Sequence, residues 1–151
     1  MLKIDVRDGL RGYMLSVLSE AGMVAIPWSA ALEIEFLSSG DGLAALRMPW
    51  RKDLSDQDGG AASGAVASLI DHGCGAAVMS KLARPVLIST LNLKIDHIRP
   101  SASKCPVTVW AHCYRLTSDR AFVRAEVWEQ DAADVFASAQ GVFSINRPIT
   151  A

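Results

Sequence analysis

The sequence predicts an α+β domain in which one long helix packs against an antiparallel sheet. Two patterns carry that prediction. A run of small and apolar residues from Ser63 to Leu82 has helical character and no Pro. Around it lie segments in which apolar residues alternate with polar ones and end in turn chemistry. Helix, two strands, helix and four strands, in that order, fit a sheet with one helix against it. An extra helix precedes this core.

The 151 residues point to one domain with a substantial core, with the core itself spanning about residues 24 to 147. Half the residues are hydrophobic and 21% are charged, a globular composition. A formal net charge of −1 offers no electrostatic basis for binding nucleic acid. No apolar run reaches the roughly 18 residues of a membrane span, and Met1 to Asp8 lacks the apolar core of a signal peptide. The expectation is a cytoplasmic protein with no membrane partner.

Cys74, Cys105 and Cys113 are odd in number and have no C-x-x-C spacing, which argues against a disulfide framework or a zinc site. Cys74 and Cys113 are expected to act as small buried hydrophobes. His72, His97 and His112 do not share an element at ligand spacing, so no metal is expected.

Leu10, Tyr13, Met14, Val17 and Leu18 recur at helical spacing, predicting an amphipathic helix over about residues 9 to 22 that stops at Gly22. Val24 to Trp28 reads as an extended link, with Pro27 blocking a helix. Leu32, Ile34 and Phe36 alternate with Glu33 and Glu35, predicting a half-buried strand over Ala31 to Leu37. Ser38 to Gly42 is turn chemistry, and Leu43 to Pro49 is the hairpin partner. Lys52 to Gly60 is a polar loop. After Arg84-Pro85, strands are expected at Val86 to Ile98, Val107 to Leu116, Ala121 to Gln130 and Val135 to Ile145.

Two faces emerge from the alternation. Val107, Val109, Ala111 and Cys113 share one face, and Ala121, Val123, Ala125 and Val127 another, both suited to a close helix. The opposite faces carry Trp110, His112, Tyr114, Phe122, Arg124, Glu126 and Trp128. They are aromatic enough to predict burial against another subunit, hence a homodimer or larger assembly. On the long helix, Gly64, Ala67, Ser68, Asp71 and Gly75 form one stripe, predicted to let the helix sit low on the sheet. Asp71 is the carboxylate to explain, since burying it needs a partner or a task. His72 points about 100° away, so the two are not an acid–base pair.

Four segments resemble the PaaI-like branch of hotdog-fold acyl-CoA thioesterases: Leu43 to Pro49, Ser63 to Asp71, Leu91 to Pro100 and Ala121 to Val127. The second is similar to that family's His-Gly-Gly-x-x-x-x-Leu-x-Asp helix start, and the third to a strand ending in Arg-Pro. The resemblance implies a single hotdog domain, an antiparallel sheet wrapped around the central helix. It implies hydrolysis of an acyl-CoA thioester, with coenzyme A part of the substrate and no separate cofactor. The carboxylate at Asp71 would attack the thioester carbonyl or activate a water. Backbone N–H groups near Ser63, Gly64 and Ala65 would polarise that carbonyl, as the positive end of a helix can.

Asp71 stands about 10 Å from the helix start along the same helix, so one chain does not easily bring both to one carbonyl. In the family the two come from different subunits, which implies a homodimer, possibly a dimer of dimers. By count, the family's water-positioning hydroxyl falls on Thr90, with Ser89 beside it, and a polar loop residue on Asp56, with Gln57 beside it. The family His falls on Ala62 and the first Gly on Ser63; no His occurs between Met48 and Asp71. Arg99 is either a strand-end residue or a contact for a coenzyme A phosphate, which planar guanidinium suits. Lys81 and Arg84 answer the helix dipole, and His97 reads as a packed or interface histidine rather than a base. A non-catalytic hotdog dimer that binds an acyl group or a partner is the alternative. A hotdog dehydratase or hydratase ranks last, because that chemistry needs an acid–base pair such as a His with an Asp or Glu and no His precedes the helix in its loop.

Overall fold

The computed structural model describes residues 27–84 and 86–146. The amphipathic helix expected over residues 9 to 22 lies outside them. Six strands form one antiparallel sheet: β1 (Glu35–Gly40), β2 (Leu43–Met48), β3 (Ile88–His97), β4 (Val107–Leu116), β5 (Arg120–Trp128) and β6 (Ala137–Ile145). Their order across the sheet is β1-β2-β4-β5-β6-β3, leaving β1 and β3 at the edges. A short helix α1 (Pro27–Ala31) precedes β1, and a 3-10 turn spans Lys52–Leu54. The long helix α2 (Ser63–Lys81) touches all six strands, β4 and β2 most of all. This is the hotdog arrangement.

The first expected strand needs correction. Pro27 does not block a helix but opens one, as proline can in a first turn that needs no N–H. Leu32 follows that helix, its N–H donating to Trp28 O at 3.1 Å, and its side chain is buried through the turn rather than through strand alternation. Glu33 takes a positive φ of 54°, and the strand begins two residues later. At its far end β1 runs on through Gly40, so the turn is the two residues Asp41 and Gly42. Their φ values of 50° and 82° suit the tight turn whose twist matches a hairpin. Gly42 then lies under the end of α2: its N–H donates to Ser80 Oγ at 3.0 Å.

The core is the contact between α2 and the sheet. Val107, Val109, Ala111, Cys113, Ala121, Val123, Ala125 and Val127 are all buried, as the alternation requires. The helix meets them with Ala65, Val66, Leu69, Ile70, Gly73, Cys74, Ala77 and Val78. Burying a side chain such as Leu69 or Ile70 contributes roughly 1.5–3 kcal/mol. The stripe expected to sit low on the sheet is therefore the wrong one. Gly64, Ala67, Ser68, Asp71 and Gly75 are half-buried or exposed, and a Cβ on Gly64 would meet nothing within 4 Å. Gly73 is the close-approach glycine: a Cβ there would stand 2.8 Å from Val109 Cγ1.

On the other side of the sheet, Trp110, His112 and Tyr114 pack as a ladder, with centroids 5.9 Å and 6.5 Å apart. The Arg124 guanidinium lies 5.9 Å from the Trp110 ring centre. Burial, with Arg124 and Lys81 nearby, pushes the His112 imidazole below its usual range.

Two expectations follow from this core. Gly73→Ala gains about 0.5–1 kcal/mol of helix propensity, but overpacking against Val109 costs about 1–3 kcal/mol. The net is destabilisation, seen as a lower urea midpoint, while Gly64→Ala leaves the midpoint unchanged or higher. Cys74 has no exposed surface, and burial, with Asp71 and Cys113 adding, pushes its thiol up to about 12. Native protein at pH 8 should therefore expose only Cys105 to a thiol reagent, with Cys74 and Cys113 reacting after denaturation. Between the ordinary thiol value of 9.0 and about 12 the folded state holds the Cys74 proton and the unfolded state does not. Stability contributed by that group falls as pH rises through this window, read as a lower urea midpoint at pH 10.5 than at pH 8.

Candidate functional site

The residues Asp56 to Gly64 form a loop that runs into the start of α2, and nearly every amide in it has a partner. Asp56 Oδ1 accepts from Asp58 N at 2.9 Å and from Gly60 N at 3.0 Å. Gly59 N donates to Asp56 O at 3.2 Å, Ala61 N to Ser101 Oγ at 2.6 Å, and Ala62 N to Leu54 O at 2.8 Å. Past the cap, Ala65 N and Val66 N both donate to Ala62 O, at 2.9 and 3.0 Å. Among the described residues, no acceptor stands on the N–H groups of Ser63 and Gly64.

The cap gives these amides no side-chain acceptor. Ala62 is the N-cap of α2 and makes no side-chain capping bond. A Ser, Thr or Asp there would take up an amide of the first turn; alanine cannot. Among the described residues, two unpaired donors stand at the positive end of a 19-residue helix, where a Cβ on Gly64 would meet nothing within 4 Å. Ala65, also expected among the donors, is not one of them, because Ala62 O already takes its N–H.

Asp71 lies two turns along the same stripe. It is half-buried, and Thr90 Oγ1 donates to its Oδ1 at 2.7 Å. Of the adjacent hydroxyls Ser89 and Thr90, the structure brings Thr90 to Asp71, and a β-bulge is the reason. Counting back from Ile95 and Leu93 by strict alternation would turn Ser89 and Leu91 toward the helix. The register instead shifts between Thr90 and Asn92, so Thr90 pairs with Phe143 and Ile88 with Ile145. The extra residue, Leu91, is left 53% exposed. Ser89 falls on the other face, where its carbonyl accepts from Ser144 Oγ at 3.3 Å.

Other expected residues have other tasks. Asp56 spends its Oδ1 on its own loop, an Asx-type turn, and Gln57 is exposed at the loop tip. Arg99 is not free for a phosphate. Its guanidinium donates to Glu129 Oε2 at 2.9 Å and to Asp134 Oδ2 at 2.8 Å, and lies 5.6 Å from the Phe136 ring centre. These carboxylates, Glu129 foremost, raise its pKa further above the ordinary arginine value.

Three residues at the site carried no signal in the sequence. Trp28 Nε1 donates to Ser68 Oγ at 3.1 Å, setting an indole beside the stripe between Gly64 and Asp71. Trp50 Nε1 donates to Gly59 O at 2.8 Å, and Ser101 holds Ala61. Separations of 40 residues for the first and last pairs leave no local pattern to find. Among the described residues, no three His, Cys, Asp or Glu side chains are grouped to hold a metal, and no helix is long and apolar enough to cross a membrane.

Comparison with known proteins places this geometry. The thioesterase superfamily model matches residues 59–135, more than half the chain, from the donor loop through the end of the β5–β6 connection. A conserved protein from Pseudomonas aeruginosa, PA5202, is 29% identical, with a TM-score of 0.73 over 82% of this chain and 96% of its own. A variant of the phenylacetic acid degradation protein PaaI from Thermus thermophilus is 24% identical, with a TM-score of 0.69 over 78% and 97%. A thioesterase family protein from Silicibacter pomeroyi is 19% identical, with a TM-score of 0.78 over 91% and 100%. The last two speak to the fold alone. A search among curated proteins gave no match. A hotdog sheet around α2, and a family match that begins at the loop feeding the free donors, lead to one conclusion: the chain belongs to the thioesterase superfamily.

Proposed function

We propose that the protein hydrolyses an acyl-CoA thioester to the free acid and coenzyme A, in sites shared between two copies of the chain. The observation that carries this reading is the pair of N–H groups at Ser63 and Gly64, unpaired among the described residues, at the start of the helix whose Asp71 is already bonded to Thr90. The N–H pair would polarise the thioester carbonyl and stabilise the oxyanion as it forms. Asp71 would take a proton from an attacking water, or attack that carbonyl itself, expelling the thiolate and leaving an acyl-aspartyl anhydride that water then cleaves to the free acid. Thr90 would orient the carboxylate, or the water beside it. Attack of water on the acyl carbon forms a C–O bond and breaks the C–S bond; the sulfur leaves as the coenzyme A thiolate and takes up a proton.

The rise of an α-helix separates Gly64 from Asp71 by about 10 Å, too far for one carbonyl. A second copy supplies the missing half. Support comes from β3, an edge strand with one free side, which carries Thr90 and the exposed Leu91 and follows directly on the exposed Leu87. The aromatic outer face supports a further pairing of dimers. No nucleic-acid or membrane partner enters this reading, and a cytoplasmic location suits a coenzyme A ester as substrate.

One observation favours a second reading. The family His position holds Ala62, the N-cap, which offers only backbone. A dimer that binds an acyl group without cleaving it would keep the donors and need no catalytic carboxylate.

Thiol release from short-chain, medium-chain and aryl acyl-CoAs tests both readings. Asp71→Ala should lower kcat by about 10²–10⁴-fold, the usual worth of a positioned base. Thr90→Val should lower it less, by about tenfold, because it removes one orienting bond. Equal rates for wild type and Asp71→Ala would sink the catalytic reading. A monomer at micromolar concentration, by light scattering, would sink the shared site.

A further inference from the structure

We propose that Ser101 is a positioning residue for the carbonyl-polarising N–H pair, holding the loop before α2 from outside it; this rests on the hydrolytic reading above. Its hydroxyl accepts from Ala61 N at 2.6 Å and donates to Ala61 O at 3.4 Å. Ala61 stands two residues before Ser63, so its place sets where the free amides of Ser63 and Gly64 lie. The contact is close along its length. A Cβ on Gly60 would stand 2.6 Å from Ser101 O and 2.7 Å from its Oγ, and one on Gly59 would stand 2.6 Å from Ser103 Oγ. Lys104 N adds a bond to Gly59 O at 3.1 Å.

The supporting segment is itself held rigid. Glu129 has a side chain only 4% exposed and accepts from Ala102 N at 2.6 Å, directly beside Ser101. The same carboxylate receives Arg99, which also grips Asp134. Ile98 N and Arg99 N both donate to Phe136 O, at 2.8 and 3.3 Å. A buried acid thus fixes residues 99 to 102, and Ser101 passes that position on to the donor loop. The arrangement matters in this chain because the side chain at position 62 is a methyl group, able to anchor nothing by hydrogen bonding.

The test is Ser101→Ala beside Ser101→Thr, with Thr117→Ala as a control that removes a hydroxyl bond in the β4–β5 hairpin. A misplaced donor pair weakens transition-state binding more than substrate binding. Ser101→Ala is therefore expected to lower kcat about 10–100-fold with KM within about twofold, the range that misplacement by about 1 Å produces. Ser101→Thr should restore most of the rate, and Thr117→Ala should leave kcat unchanged. Amide hydrogen exchange at Ala61 and Ala62, the bonded amides beside the donors, should speed up in Ser101→Ala alone. Wild-type kcat in Ser101→Ala, with Asp71→Ala impaired, overturns this proposal and spares the hydrolytic reading. If wild type cleaves no acyl-CoA, that reading falls and exchange decides: faster exchange supports the anchor, unchanged exchange overturns it.

Discussion

The seating of α2 on the sheet is the constraint from which the rest follows. Gly73 lets the helix approach Val109, and Leu69, Ile70, Cys74 and Val78 fill the space on either side with no exposed surface. Once that stripe is turned to the sheet, helical geometry leaves Gly64, Ala67, Ser68, Asp71 and Gly75 on the flank. The flank faces β3, where a Cβ on Gly75 would lie 3.8 Å from Ile88 Cδ1. An acid placed there is spared the cost of the dry core and still finds one fixed partner, Thr90. Packing and chemistry are two sides of a single helix rotation.

The start of the helix shows the same economy. Every loop amide from Asp58 to Ala62 is tied down, and the two that follow meet no acceptor among the described residues. The ties come from four directions: Asp56 within the loop, Leu54 behind it, Ser101 beside it, and Trp50 on the carbonyl of Gly59. Donors that are to stabilise developing charge work best when they do not have to reorganise. A loop bonded at every amide from Asp58 to Ala62, with the Ser63 and Gly64 N–H groups unpaired among the described residues, suits that proposed role without a capping side chain.

Much of the fold was legible because its signals are local. The alternation in Val107 to Leu116 placed β4 and its buried face correctly, since a half-buried strand must alternate. The long helix was legible from Ser63 to within one residue of its end. Legibility failed where a local rule has two outcomes. Pro27 is a helix breaker inside a helix and acceptable at its start, and only the chain direction around Leu32 decides between them. The stripe of small residues on α2 had the same ambiguity: small residues permit close packing but do not require it, and the larger apolar stripe took the sheet.

The sequence alone determined the fold class, the central helix, the inward face of the β4–β5 hairpin, and Asp71 with Thr90 or its neighbour as residues of interest. The fold class, the helix and the buried face depend on periodicity written along the chain, and Thr90 or its neighbour on the resemblance to a known family's motif. Only the tertiary structure decided between Ser89 and Thr90, because a bulge at Leu91 inverts the strand's faces and no residue pattern announces it. Only the tertiary structure turned Arg99 inward to Glu129 and brought Ser101 to Ala61, because those contacts close loops of 30 and 40 residues. Hydrogen bonds over such distances exist only after the sheet has assembled, and they set where the donors of this thioesterase superfamily member stand.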